Sequence, residues 1–238
     1  MPTPAASDRA IAHVRTRAET ARAEARARSL VILSRAGEPE AALDPLAALI
    51  REHGRVTLNF HPDRYVAEGH TVAEGLLRDG RYRSQFETRV SNGSLTAFPG
   101  GERDNWERAL FGAAYHGPDG GTGERPKYGA LDLMEHADGG SPRFGSCYFV
   151  LRPHMAARST LTWGDSHAGP AHVGTNDVLE PIVAAMLDAA ATHGIVLGVA
   201  GMSVGGLLHR LRRRDTSGHR NPTGAPPGRA LGERVTAS

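Results

Sequence analysis

The chain has 238 residues, 39% of them hydrophobic and 23% charged, which is globular composition with enough length to bury one sizeable core. A formal charge of +2 excludes a uniformly basic nucleic-acid binder, and the single cysteine, Cys147, excludes an intramolecular disulfide framework and a cysteine-only metal site. The basic excess is local, because seven arginines stand against Asp215 and Glu233 from Arg210 to Ser238, while residues 1–209 hold 21 cations and 24 anions.

Met1 to Asp8 lacks the basic segment and apolar run of a secretory signal, and the lone cysteine fits a reducing cytosol, so a cytoplasmic location is expected. Ile11, Val14, Ala18, Ala21 and Ala25 recur at spacings of three and four, predicting a docking helix with a narrow apolar stripe. Asp44 and Pro45 read as the N-cap and first position of a second helix, with Leu46, Leu49 and Ile50 on its buried face and Gly54 at its end. The period then changes to two. Val56, Leu58 and Phe60 alternate with Thr57, Asn59 and His61, predicting a strand over Arg55 to His61 that presents His61 at its end. Thr71 and Glu74 have capping-box spacing before Leu76 and Leu77, and Gly80 closes that helix.

From Tyr82 to Thr162 the segments are short, rich in Tyr, Phe, Thr and Val, and broken by Gly and Pro, which argues for a sheet. Its best strands are Tyr128 to Leu133, Arg143 to Leu151 and Arg158 to Trp163, with a helix over Asp104 to Ala114 and a loop over Gly117 to Pro126. Val178, Leu179, Ile182, Val183, Met186 and Leu187 predict another helix up to Gly194. Ala189 to Leu208 carries no formal charge, but its strongly apolar part is shorter than the ~20 residues that span a bilayer, so membrane insertion is not expected. Beyond Arg210 the composition turns to Arg, Gly, Pro, Thr and Ser, predicting disorder. Three segments result: helices over 1–54, a core over 55–193 and a divergent stretch with an Arg-rich tail over 194–238.

His61-Pro62-Asp63 is the tripeptide of J-domain cochaperones, but it follows a strand here, leaving two readings: a ligand-facing strand end carrying His61 and Arg64, or a solvated turn. The histidines at 136, 154, 167 and 172 lack short fixed ligand spacings, so no metal is expected. A denser polar set lies in the middle third: Arg83, Ser84 and Glu87; Asn92; Arg125 to Gly129; Arg143, Ser146 and Tyr148; and Trp163 to Ser166. It can line a cleft for an anionic, aromatic-bearing ligand, or it can be turns and edge-strand caps.

The words NFHPDR, YRSQFET, SNG, LTAFPGG, WERALFGAAY, RPKYGAL, PRFGSCYFVLRP, RSTLTWGDS and GT run in this order between about Val56 and Ala190. In this the chain resembles the bacterial family of domain of unknown function 3626, which is similar to mono-ADP-ribosyltransferases. The resemblance implies an α+β fold, with N-terminal helices packed on a split, mainly antiparallel sheet, and NAD as substrate. It also implies transfer of ADP-ribose to a protein target with release of nicotinamide. On this resemblance His61 and Arg64 hold ribose or diphosphate, Ser146 and Tyr148 place nicotinamide, and Arg83, Ser84, Asn92 and Arg143 support them. Breaking the glycosidic bond also requires a carboxylate to stabilise oxocarbenium character. Family members carry it on a strand of the type Tyr-Ile-Glu-Ala-Gln-Val-His-Gly after the helix near Val178 to Ala190, and this chain has no such strand, as a truncated or frameshifted reading frame would lack it. Glu87, Asp165 and Glu180 are the substitute candidates, and slow turnover is the expectation. A different reading makes the chain a catalytically silent interaction module whose Arg-rich tail contacts nucleic acid or an acidic partner.

Overall fold

A 30-residue helix, α1 (Ala6–Arg35), runs along the molecule and buries Ala10, Val14, Ala18, Ala25, Ser29, Ile32 and Leu33 on one narrow stripe. The sequence stripe is right in its axis, but Ala21 is exposed and Ile11 only half-buried. Small residues on this face let α1 lie close against α6 (Glu180–Thr192), which is buried almost all round through Ile182, Val183, Ala184, Met186, Leu187 and Ala190. On the solvent side Arg15–Asp177, Arg22–Glu180 and Arg28–Asp188 pair across the same seam at 2.7, 2.8 and 2.9 Å. This computed structural model describes residues 5–66, 68–89, 97–118 and 120–216.

α2 (Leu43–His53) begins earlier than the sequence suggests, with Ala42 as N-cap. A short 3-10 turn at Glu40–Ala42 leads straight into it, so Pro45 falls inside the first turn, where its missing N–H has no intrahelical partner to lose. Asp44 is therefore free of capping and pairs with Arg26 of α1 at 2.6 Å. α3 (Val72–Asp79) carries the full Thr71–Glu74 capping box and ends at Gly80 in the left-handed conformation, as its sequence dictates. α4 (Gln85–Thr88) is a single turn with a second capping box, Ser84–Glu87, and α5 covers Glu102–Phe111.

The strands form small antiparallel sheets, and the architecture is α+β. β1 (Arg55–Phe60) lies at the centre of the largest, between β2 (Ala130–Asp132) and β3 (Cys147–Val150). β4 (Thr160–Thr162) pairs with β5 (Val173–Thr175), and β6 (Ile195–Val196) with β7 (Val199–Ala200). β2, β3 and β4 are shorter than the sequence predicts. Pro142–Phe144 forms a 3-10 turn and Gly145 takes φ +134°, so the chain cannot extend until Cys147. β1 is buried on both faces, against the half-buried strand that the alternation predicts. Thr57 and Asn59, its polar set, turn inward onto the loop before β3.

The principal core joins the end of α1 with α2, α6 and α7 (Val204–Thr216), and a second joins the start of α1 with Leu110, Phe111, Tyr115 and Val173. The expectation of disorder from residue 211 is corrected here as far as Thr216, because α7 turns Val204, Leu207, Leu208 and Leu211 into the principal core and leaves Arg210, Arg212 and Arg213 outside. Leu207→Ala should accordingly cost about 3 kcal/mol in urea denaturation, the usual cost of emptying a buried leucine site. A change below about 0.5 kcal/mol, typical of a surface position, would place α7 outside the cooperative unit. Among the described residues no helix is long and apolar enough to cross a membrane.

Candidate functional site

The end of β1 is joined to the start of β3 by a close backbone approach. Phe60 faces Cys147 in register, so His61 leaves β1 where Ser146 enters β3. At Gly145 a Cβ would stand 2.0 Å from the Phe60 carbonyl oxygen and 2.6 Å from the His61 nitrogen, so only glycine permits this contact. Asn59 fastens the loop that leads here, its amide donating to the carbonyls of Asp138 at 2.7 Å and Gly145 at 2.9 Å and its oxygen accepting from the Ser141 N–H at 3.2 Å. Tyr148 lies opposite Asn59, packs against Gly139 and donates its hydroxyl to the Ala137 carbonyl at 3.2 Å. On the other face of the pair, Phe60 stacks on Phe149 at 5.0 Å, and Tyr82 meets both edge-on.

His61, Ser146 and Tyr148 are thus brought to one strand end, with exposed Arg64 in the turn that follows His61. The remaining sequence candidates are elsewhere or otherwise engaged. Arg83 pairs with Asp79 at 2.6 Å and Glu68 at 3.1 Å. Ser84 is buried as the cap of α4 and donates to the Thr122 carbonyl at 2.6 Å. Arg143 stacks on Phe144 and pairs with Asp165. Asn92 lies outside the described residues.

Each substitute carboxylate has a structural partner. Glu87 receives the Ser84 N–H at 2.8 Å and Arg81 at 2.5 Å; burial pushes its carboxyl up, but these donors hold it below the usual carboxylate range. Glu180 sits in the first turn of α6, favourably placed at the positive helix end, and is held by Arg22. Asp165 is held by Arg143.

A cluster of which the sequence reading singled out only the Arg125–Gly129 segment, and not its α5 partners, lies between α4, α5 and the segment entering β2. Arg103, Asp104 and Glu107 are buried on the same helical face as Leu110 and Phe111. Arg125, also buried, bridges Asp104 at 2.5 Å and Glu107 at 2.9 Å while its guanidinium stacks on Phe86 at 4.2 Å. Tyr128 donates to Glu107 at 2.6 Å, and His116 stands 2.9 Å from Asp104. Burial pushes the Glu107 carboxyl up despite its partners, and pushes the Tyr128 hydroxyl well up. It pushes the His116 imidazole and the Lys127 ammonium down. The signal was present in RDNWERALF, where charged residues occupy the i, i+4 positions that continue into an apolar stripe.

Chemically, the strand end offers imidazole, hydroxyl and guanidinium groups to a polar anionic ligand. Among the described residues no group of three or more His, Cys, Asp or Glu is placed to hold a metal ion. Compared with known families, residues 55–237 match the family described as "Protein of unknown function (DUF3626)", a range that begins at β1 and runs past Ala190. No curated protein matches the chain.

Proposed function

The chain belongs to the DUF3626 family, and from that premise we propose that it binds NAD on an ADP-ribosyltransferase-like scaffold and turns it over slowly. The observation that carries this reading is the adjacency of His61 and Ser146 across the Gly145 contact, with Tyr148 two residues further along β3. In this reading His61 and Arg64 hold the ribose and diphosphate, and Ser146 and Tyr148 receive the nicotinamide. A protein is the acceptor of ADP-ribose. Slow turnover follows from the engagement of Glu87, Asp165 and Glu180 with arginines, each of which would have to be released before the carboxylate could serve a substrate.

Calorimetric titration with NAD tests the reading directly. His61→Ala and Arg64→Ala should each remove a polar contact worth about 1.5–3 kcal/mol, a loss of roughly tenfold or more in affinity. Arg213→Ala, on the exposed side of α7, should leave the affinity unchanged. Equal NAD affinity in well-folded His61→Ala, Arg64→Ala and unmodified protein would overturn the assignment. No heat with NAD at all would favour the Arg-rich interaction module.

A further inference from the structure

β3 has a strand partner on one side only. Phe60 faces Cys147 and Leu58 faces Phe149 across the pair with β1, and the Leu151 N–H donates to the Val56 carbonyl at 2.9 Å. In an antiparallel ladder, residues that exchange bonds with the partner alternate with residues whose N–H and C=O point the other way. Cys147, Phe149 and Leu151 therefore turn their backbone groups to β1, and those of Tyr148 and Val150 face outward. Among the described residues no strand lies beyond β3, and no backbone hydrogen bond takes the outward groups of Tyr148 and Val150. The edge is open to solvent, with Ser146, Cys147 and Arg152 exposed and Val150 49% exposed. The opposite edge of the sheet differs, because β2 is three residues long and ends at Asp132, buried with its carboxylate on Arg55 and the His136 N–H.

Open edges are ordinarily blunted by lysine, proline, a bulge or an inward charge. Cys147–Val150 carries none of these, and the chain stays extended past it to Arg152 at φ −62° and ψ 146°. The surrounding sequence is also without negative charge: Ser141 to Gly164 holds Arg143, Arg152 and Arg158 and no carboxylate. Arg143 is answered by Asp165, whereas Arg152 is exposed and pairs with no carboxylate among the described residues. An added strand would meet the outward N–H and C=O groups of two residues, an apolar contact at Val150 and a cation at Arg152. A second copy of this chain fits poorly, since pairing two such edges antiparallel sets Arg152 of each copy toward the Arg143 end of the other, cation toward cation.

We propose that the free edge of β3 is a docking site for an extended, acidic segment of a partner protein, which adds as a strand to the outward backbone groups of Tyr148 and Val150 and sets a carboxylate against Arg152. Backbone pairing supplies the affinity, while Val150 and Arg152 select β-branched and acidic residues. The surface goes beyond the NAD reading and does not depend on it.

Two measurements on the full chain test this. Amide hydrogen exchange of the free protein should alternate, slow at Cys147, Phe149 and Leu151 and fast at Tyr148 and Val150. Slow exchange at Tyr148 and Val150 would mean that the edge is already covered and would overturn the proposal. The binding probe is a random peptide library displayed on phage, counter-selected against Val150→Pro. Proline there removes an N–H that no bond inside the sheet uses, so the fold and its Tm should be retained. Selected peptides should be rich in Asp, Glu and β-branched residues, bind Val150→Pro about tenfold or more weakly, lose several-fold against Arg152→Glu, and slow exchange at Tyr148 and Val150. A second arm keeps the unmodified chain and N-methylates the selected peptide at alternate residues. One alternate set should abolish binding and the other leave it intact, which holds whether or not Val150→Pro folds. Failure to select any peptide whose binding depends on one alternate set of N–H groups, selection of basic peptides, or a dimer of the unmodified chain that Val150→Pro abolishes, which would give the edge to a second copy, would overturn the assignment. NAD binding in calorimetry stands or falls separately, because Val150 and Arg152 are outside the groups assigned to NAD.

Discussion

Arg125→Met is expected to destabilise the fold by about 3–5 kcal/mol, the cost of removing one member of a buried ionic group and leaving its partners charged and unpaired. Total stability for a domain of this kind is about 5–15 kcal/mol, so the change is a large fraction of the whole. Methionine keeps an apolar side chain beside Phe86 but removes the stacked guanidinium, so the loss combines the orphaned Asp104 and Glu107 with a smaller cation–π contribution. The effect should depend on pH with a definite sign. Burial already holds the Glu107 carboxyl above its unfolded value, so its contribution is fully present below that unfolded value and declines as pH rises through the folded one. With Arg125 gone, protonation relieves the orphaned charge, and the deficit should be smaller near about pH 5 than near about pH 8. Adding Asp104→Asn and Glu107→Gln to Arg125→Met should recover much of the loss. Urea denaturation of the set measures this, and a deficit under about 1 kcal/mol at both pH values would show that water already screens the cluster.

Nicotinamide release from NAD should be slower on the order of 10²- to 10³-fold than in a relative that carries the Glu-bearing strand, the cost of losing one preorganised transition-state stabiliser. The physical ground is the placement of the carboxylates. Glu87 closes the capping box of α4, Glu180 tethers α6 to α1, and Asp165 neutralises Arg143. Each would have to break an ion pair before it could stabilise positive charge on a ribose. Glu87→Gln, Asp165→Asn and Glu180→Gln should therefore leave the residual rate within about twofold, since none would be supplying the roughly 10²-fold contribution. A large drop in any one of them would identify the carboxylate that acts, and turnover comparable to the relative would refute the argument from engagement.

Much of the candidate site was legible as residues but not as an assembly. His61, Ser146 and Tyr148 could be named from the sequence, while the contact at Gly145 that sets His61 beside Ser146 depends on a strand and a loop far apart in the chain. Arg83, Ser84, Arg143, Glu87, Asp165 and Glu180 were equally visible, and only their partners reveal that they hold the fold together. The buried cluster on α5 was missed because charged residues inside an apolar stripe read as a solvated face until their partners are known.

The sequence by itself determined what short-range chemistry decides: the Thr71–Glu74 cap and the Gly80 stop of α3, the existence of α1, α5 and α6, and the path of β1. These depend on backbone hydrogen bonds and side-chain periodicity within a few residues, so no distant partner is needed to read them. Tertiary structure alone decided that Thr57 and Asn59 face inward, that α7 completes the principal core, and that Arg125 bridges two carboxylates. Burial and charge compensation belong to surroundings built from segments distant in sequence. Arg103 and Arg125 are identical side chains, and only the tertiary geometry makes one a bridge between Asp104 and Glu107 and stacks the other on Trp106 and Tyr128.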